Sequence, residues 1–169
     1  MPTTTPSTDR IEKQITLDAP RSRVWRALTE VEQFNAWFGV SLETPFAPGA
    51  EVSGRISIRG YEHVTMTIWI ETMEPERFFS FRWHPYAIEA GVDYSTEPTT
   101  LVAFTLEDAA GGTRLTIVES GFDALPESRR AKAFSMNSGG WAGQAENIRK
   151  FLATGGAGKQ DRLPHEREA

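Results

Sequence analysis

One carboxylate poses the main chemical question in this sequence. From Leu115 to Glu119 the chain alternates as a strand does, which puts Glu119 on the same face as Leu115 and Ile117. An acid on an apolar face either reaches water where the strand twists out, or is buried and needs a partner. Buried alone, its pKa rises; beside Arg55, Arg82 or His84 it would stay ionised. A buried Glu119 would be a polar anchor inside an apolar pocket, able to orient a ligand or serve as an acid or base.

Other chemistries find less support. His63, His84 and His165 have no second ligand at helical or hairpin spacing, so no zinc site is expected. Gly111 and Gly112 fall in a hairpin connection and Gly139 and Gly140 run into Trp141, so neither pair reads as a phosphate cradle. Ser120, between Glu119 and Gly121, lacks the strand-to-helix elbow and oriented base of a nucleophile, and reads as a strand-end turn. There are no cysteines, which excludes disulfides and thiolate chemistry. No cofactor is expected.

The net charge is −5 with Lys and Arg scattered, so no footprint for nucleic acid or anionic lipid is visible. No run approaches the roughly 20 apolar residues of a membrane span, and MPTTTPSTDR does not resemble a signal peptide. A cytoplasmic protein is the resulting expectation.

The elements that must position Glu119 follow from periodicity. Residues 1–9 and 155–169 are poor in apolar side chains and are expected to be flexible tails around one domain at 10–154. Ile11, Ile15 and Leu17 mark an opening strand. Pro20 then starts a helix with Val24, Ala27, Leu28 and Val31 on one face, and a second short helix carries Phe34, Trp37 and Phe38 before Gly39 ends it. From Pro45 to Phe122 the period is two, giving five strands around Val52–Ile58, Val64–Ile70, Phe79–Trp83, Leu101–Leu106 and Leu115–Val118. Phe134, Trp141, Ala145, Ile148 and Leu152 define one face of a last helix from about Pro126 to Ala153, expected to break at Gly139 and Gly140 with Ser138 capping the second part. About six antiparallel strands, two short helices and one long helix imply an α+β helix-grip fold, with the sheet curved around the C-terminal helix.

The chain resembles the START-like helix-grip (SRPBCC) superfamily over residues 11–154, and within it proteins similar to the C-terminal domain of the activator of heat-shock protein 90 ATPase. The resemblance is carried by Ile15, Ala19, Pro20, Val24, Trp25, Ala27, Leu28 and Thr29, then by Phe34, Trp37, Phe38, Pro48 and Gly49. It continues through Glu74, Pro75 and Trp83, the run Thr113 to Phe122, and Gly140–Trp141 leading to Leu152. It implies a cavity for a hydrophobic ligand. The namesake acts on a chaperone.

Three functions are therefore open. The first is a module binding a small apolar or aromatic ligand, with Phe81, Trp83, Met136 and Trp141 as walls, Gly140 leaving room, and Arg55, His63 or Glu119 as orienting polar groups. The second is a cyclase or dehydratase using Glu119 as acid or base. The third is a stress-related, chaperone-cooperating interaction protein. The segment His84 to Thr100 is long enough for a lid, a plain solvated loop or a homodimer contact.

Overall fold

The first strand of the chain pairs with the last. In a computed structural model that describes residues 8–89 and 91–154, β1 (Arg10–Leu17) runs antiparallel to β7 (Gly112–Ser120), with Ile11 opposite Glu119 and Leu17 opposite Thr113. Between them lie β2 (Val40–Leu42), β3 (Glu51–Ile56), β4 (Thr65–Glu74), β5 (Phe78–Trp83) and β6 (Thr100–Ala109), each antiparallel to the next. The order across the sheet is β1-β7-β6-β5-β4-β3-β2, so the chain must cross its full width between β1 and β2. It does so through α1 (Arg21–Thr29) and α2 (Val31–Phe38). The long α3 (Glu127–Ala153) then lies across the sheet, and this is the expected helix-grip architecture.

β2 is a strand that sequence periodicity did not give, so the sheet among the described residues has seven strands instead of about six. Three residues are too short to show alternation. The strand exists because Gly54 lets it approach: a Cβ at Gly54 would stand 2.0 Å from the Ser41 carbonyl oxygen. Asn35 on α2 completes the edge, its side-chain amide bonding both the N–H and the C=O of Leu42 at 3.0 and 3.1 Å.

The helix starts and stops follow local chemistry. Pro20 is the N-cap of α1 and its carbonyl accepts from Arg23 and Val24, while Gly39 closes α2 at φ +92°. The Trp37 indole donates to the Ala27 carbonyl at 2.8 Å and locks the two helices together. Thr8 and Asp9 are tied to the turn after β7, where Gly121 and Phe122 donate to the Asp9 carbonyl. The tails expected at 1–9 and 155–169 otherwise lie outside the described residues.

The main core joins α1, α2 and α3 to the concave face through Leu17, Val24, Leu28, Phe34, Ile68, Phe104 and Ile148, all fully buried. Each such side chain contributes roughly 1.5–3 kcal/mol relative to exposure. Phe34, Phe46, Phe79, Phe81 and Phe104 pack ring on ring through the middle. A register shift between Ile70 and Thr72 lets Met73 turn inward again beside Phe79, so β4 serves the core along its whole length. A smaller cluster of Ile11, Phe122, Leu125 and Ala133 seats the first turns of α3.

α3 is continuous from Glu127 to Ala153 and does not break at Gly139 and Gly140, nor does Ser138 cap a second helix. Packing overrides propensity here. Ala133 is anchored in the smaller cluster, and Trp141, Ala145 and Ile148 in the main core, so the weak centre is clamped on both sides. Gly139, Gly140 and Gly143 have no heavy atom within 4 Å of an added Cβ, so close approach to the sheet is not their role. Gly139→Ala and Gly143→Ala should each stabilise the protein by about 1 kcal/mol, or about 2–4 °C in thermal unfolding. Gly54→Ala should lower the melting temperature, because backbone atoms must move to admit its methyl group.

Candidate functional site

Glu119 is fully buried on the concave face, between Ile11 of β1 and Val102 of β6. Four side chains from three elements donate to it. Trp83 Nε1 at the end of β5 lies 2.7 Å from Oε2, and Thr100 Oγ1 at the start of β6 lies 2.6 Å from the same oxygen. From α3, Trp141 Nε1 reaches Oε1 at 2.8 Å, and Asn137 Nδ2 spans both oxygens at 3.0 and 3.2 Å. Asn137 and Trp141 are one helical turn apart, so a single face of α3 supplies both donors. The carboxylate therefore bolts the centre of α3 to the sheet.

None of these donors is charged. The expectation that Arg55, Arg82 or His84 would hold Glu119 is overturned, as is the reading in which the strand end leaves it wet. The alternation itself explains the first: Arg82 falls between Phe81 and Trp83, on the other face, where it pairs with Glu71 at 2.8 Å. Arg55 is exposed and donates to the Glu62 carbonyl at 3.3 Å. His84 packs edge-on against Trp69 at 5.6 Å, and burial pushes its pKa down. Burial also pushes the Glu119 carboxyl up from its ordinary 4.5, and its four hydrogen bonds only partly oppose this.

Above this bolt lies a cavity of about 760 Å³. Trp83 and Trp141, with ring centroids 5.8 Å apart, form its indole wall, and Glu119 lies behind them, outside the lining. Phe38, Ile56 and Met66 add apolar surface, and α3 presents Met136, Asn137 and Gly140. The space also touches the other face of β4 at Thr65, Thr67 and Trp69. Of the residues selected from sequence, Trp83, Trp141, Met136, Gly140 and His63 are brought together around one volume. Arg55 and Phe81 are not: Arg55 lies outside the lining, and Phe81 is fully buried in the core beneath Trp83, at 5.5 Å. Phe81 follows the same alternation as Trp83, but a residue further from the strand end lies deeper in the sheet.

His84, residues 86–89 and residues 91–95 line one side of the cavity, so the described part of the segment from His84 to Thr100 is not a plain solvated loop. Arg129, in the first turns of α3, fastens both its ends. Its guanidinium donates to the Pro85 and Tyr86 carbonyls at 2.9 and 3.1 Å, pairs with Glu97 at 2.8 Å, and stands 4.8 Å from the Tyr94 ring centroid. Between these ends, the Ile88 carbonyl meets His63 Nε2 at 2.9 Å. Sequence reasoning missed Arg129, Asn137 and Thr100. The spacing of Asn137 and Trp141 was a usable signal, whereas nothing near Arg129 in sequence points to a loop some forty residues away.

Among the described residues no group of three His, Cys, Asp or Glu could hold a metal ion, and no helix is long and apolar enough to cross a membrane.

Residues 18–153 match the family model described as activator of Hsp90 ATPase homolog 1-like protein. Among solved structures, DynU16, encoded in the dynemicin biosynthetic locus, is 27% identical with a TM-score of 0.67. The match covers 89% of this chain but 49% of DynU16, so the chain spans about half that protein's length. MLL2253 from Mesorhizobium loti is 21% identical (TM-score 0.68, covering 86% and 97% of the two chains). The Aha1 dimer from Colwellia psychrerythraea is 15% identical (TM-score 0.64, covering 85% and 95%). These last two share the fold. No protein of curated function matches the sequence.

Two outcomes follow from the geometry. Because the folded Glu119 carboxyl titrates above 4.5, the folded state holds its proton more tightly than the unfolded chain. Its stabilising effect is complete below that pH and is lost as pH rises through the folded value. In urea melts, wild type should therefore lose stability relative to Glu119→Gln as pH rises above 4.5. Glu119→Leu, which strands the four donors, should cost about 3–5 kcal/mol in acid, a cost that shrinks as pH rises through the folded value. Arg129→Ala should increase protease cleavage between residues 84 and 100, and unchanged cleavage would show that the loop is held by other contacts.

Proposed function

We propose that this chain, which belongs to the activator of Hsp90 ATPase homolog 1-like family, binds a small and largely apolar molecule in the cavity beneath the middle of α3. The observation that carries this reading is the cavity itself: about 760 Å³, walled by indoles whose N–H groups are already committed to Glu119. That volume lies within the roughly 300–1,000 Å³ of small-molecule sites. With their polar ends satisfied, the two tryptophans offer apolar ring surface to an occupant. Transfer of apolar area from water then supplies roughly 25 cal/mol per Å² towards affinity, from which association costs are subtracted.

Gly140 supports the same reading. It lines the cavity and nothing occupies the place of its missing side chain, at a helix position where Ala would be more stable. Its contribution is space. DynU16 comes from a biosynthetic locus, which accords with a small-molecule ligand. An acid–base role for Glu119 is less well supported, since Trp83 and Trp141 stand between its carboxyl and the cavity. The chaperone-directed and dimeric readings rest on the family name and on one distant neighbour.

Native mass spectrometry of the purified protein should show a bound mass in addition to the polypeptide. Gly140→Phe should abolish that mass and weaken uptake of a neutral apolar fluorophore by about tenfold or more, about 1.4 kcal/mol. The variant should keep the wild-type circular dichroism spectrum. Undiminished uptake would place the binding site elsewhere.

A further inference from the structure

The charges around the cavity narrow the class of molecule it takes. Its lining holds the carboxylates of Glu51, Glu89 and Asp93, and neither lysine nor arginine is among the lining residues. Several nearby cations are committed elsewhere. Arg129 is spent on Glu97 and two loop carbonyls, Arg82 on Glu71 and Arg55 on the Glu62 carbonyl. Lys132 stands over the Tyr86 ring at 5.8 Å, and Lys132 too lies outside the lining.

None of the three carboxylates is paired with a lysine or arginine among the described residues, although His84, which also lines the space, faces Asp93 electrostatically. Glu51 accepts only from the Trp69 indole at 3.2 Å, and Asp93 accepts from the Ser95 N–H at 2.9 Å, which holds its pKa below the usual carboxylate range. Glu89 has no side-chain partner among the described residues. An anion entering this space would lose hydration with neither lysine nor arginine in the lining to replace it, and would meet like charge besides. A cation would meet the carboxylates and an indole ring, Trp83 on the concave side or Trp69 on the other face of β4, both of which line the space. Apolar walls and acidic fittings suit one kind of guest.

Building on the proposed ligand-binding role, we propose that the cavity selects an aromatic or polycyclic molecule bearing a protonated amine, and discriminates against carboxylates, sulfonates and phosphates. The apolar portion lies against Trp83, Trp141 and Met136, and the ammonium lies towards Glu89 and Asp93, with Glu51 adding negative charge from the other face of β4. Ile58, Tyr61, Val92 and Met136, the large apolar side chains that are exposed among the described residues, all line the same cavity and extend its apolar surface outward.

Three dansyl probes that differ in the charge of the tail test this on the intact protein: dansylcadaverine (cationic), dansylamide (neutral) and dansylglycine (anionic). Fluorescence titration should rank them in that order, with the cation bound about tenfold more tightly than the anion and the gap shrinking with added salt. In the triple variant Glu51→Gln, Glu89→Gln, Asp93→Asn, which keeps acceptors for Trp69 and Ser95, the gap should fall to about twofold or less. Equal affinity for all three probes, or tighter binding of dansylglycine, would overturn the charge selection and leave the apolar cavity standing. Failure of dansylamide to bind, with no difference between wild type and Gly140→Phe, would sink the cavity reading itself and the selection with it.

Discussion

The structure turns on a carboxylate buried without a cation. Glu119 sits where β1, β6 and β7 run side by side, and its four neutral donors come from β5, β6 and α3. Removing an acid from water is expensive, and four donors offset that cost only if they converge to within hydrogen-bonding distance. Their convergence fixes the rotation of α3 about its axis and its height above the sheet. It also fixes two indoles, since each N–H must point at the carboxylate. The wall of the cavity is in this sense a by-product of satisfying one acid.

The same constraint explains why α3 tolerates its glycines. A helix with Gly139, Gly140 and Gly143 in one stretch is intrinsically weak. Asn137 on one side and Trp141 in the middle are held to Glu119, and Ala145 and Ile148 are held by the core. Local propensity is overridden by contacts remote in sequence, which is why reading the glycines as a break went astray. Arg129 plays a comparable part for the segment 84–100, gathering two carbonyls, a carboxylate and a ring around one guanidinium.

Much of the fold was legible because hydrophobic periodicity is a local signal. The strands, both short helices and the span of α3 follow from spacings within each segment, and β2 escaped because three residues carry no period. The site was legible only in part. Trp83, Trp141, Met136, Gly140 and His63 surround one cavity, and Glu119 does point inward, as its alternation with Leu115 and Ile117 implied. Its partners were not foreseen. Trp, Thr and Asn satisfy the carboxylate as donors where opposite charge was expected, and Arg82 faces away by the same alternation that turns Phe81 and Trp83 inward. Depth was also invisible: Phe81 and Trp83 share a face, yet only the second reaches the cavity.

Gly140 has a consequence for how such a protein can change over generations. A Cβ added there meets no neighbour within 4 Å, so small side chains at this one site can resize the chamber without a compensating change elsewhere. Single-base substitutions of a glycine codon reach alanine, serine and valine, a graded series of volumes. The costly part of the architecture, the bolted acid and its indoles, can then stay constant while the chamber changes in volume, so that chains with one backbone differ in the space they enclose.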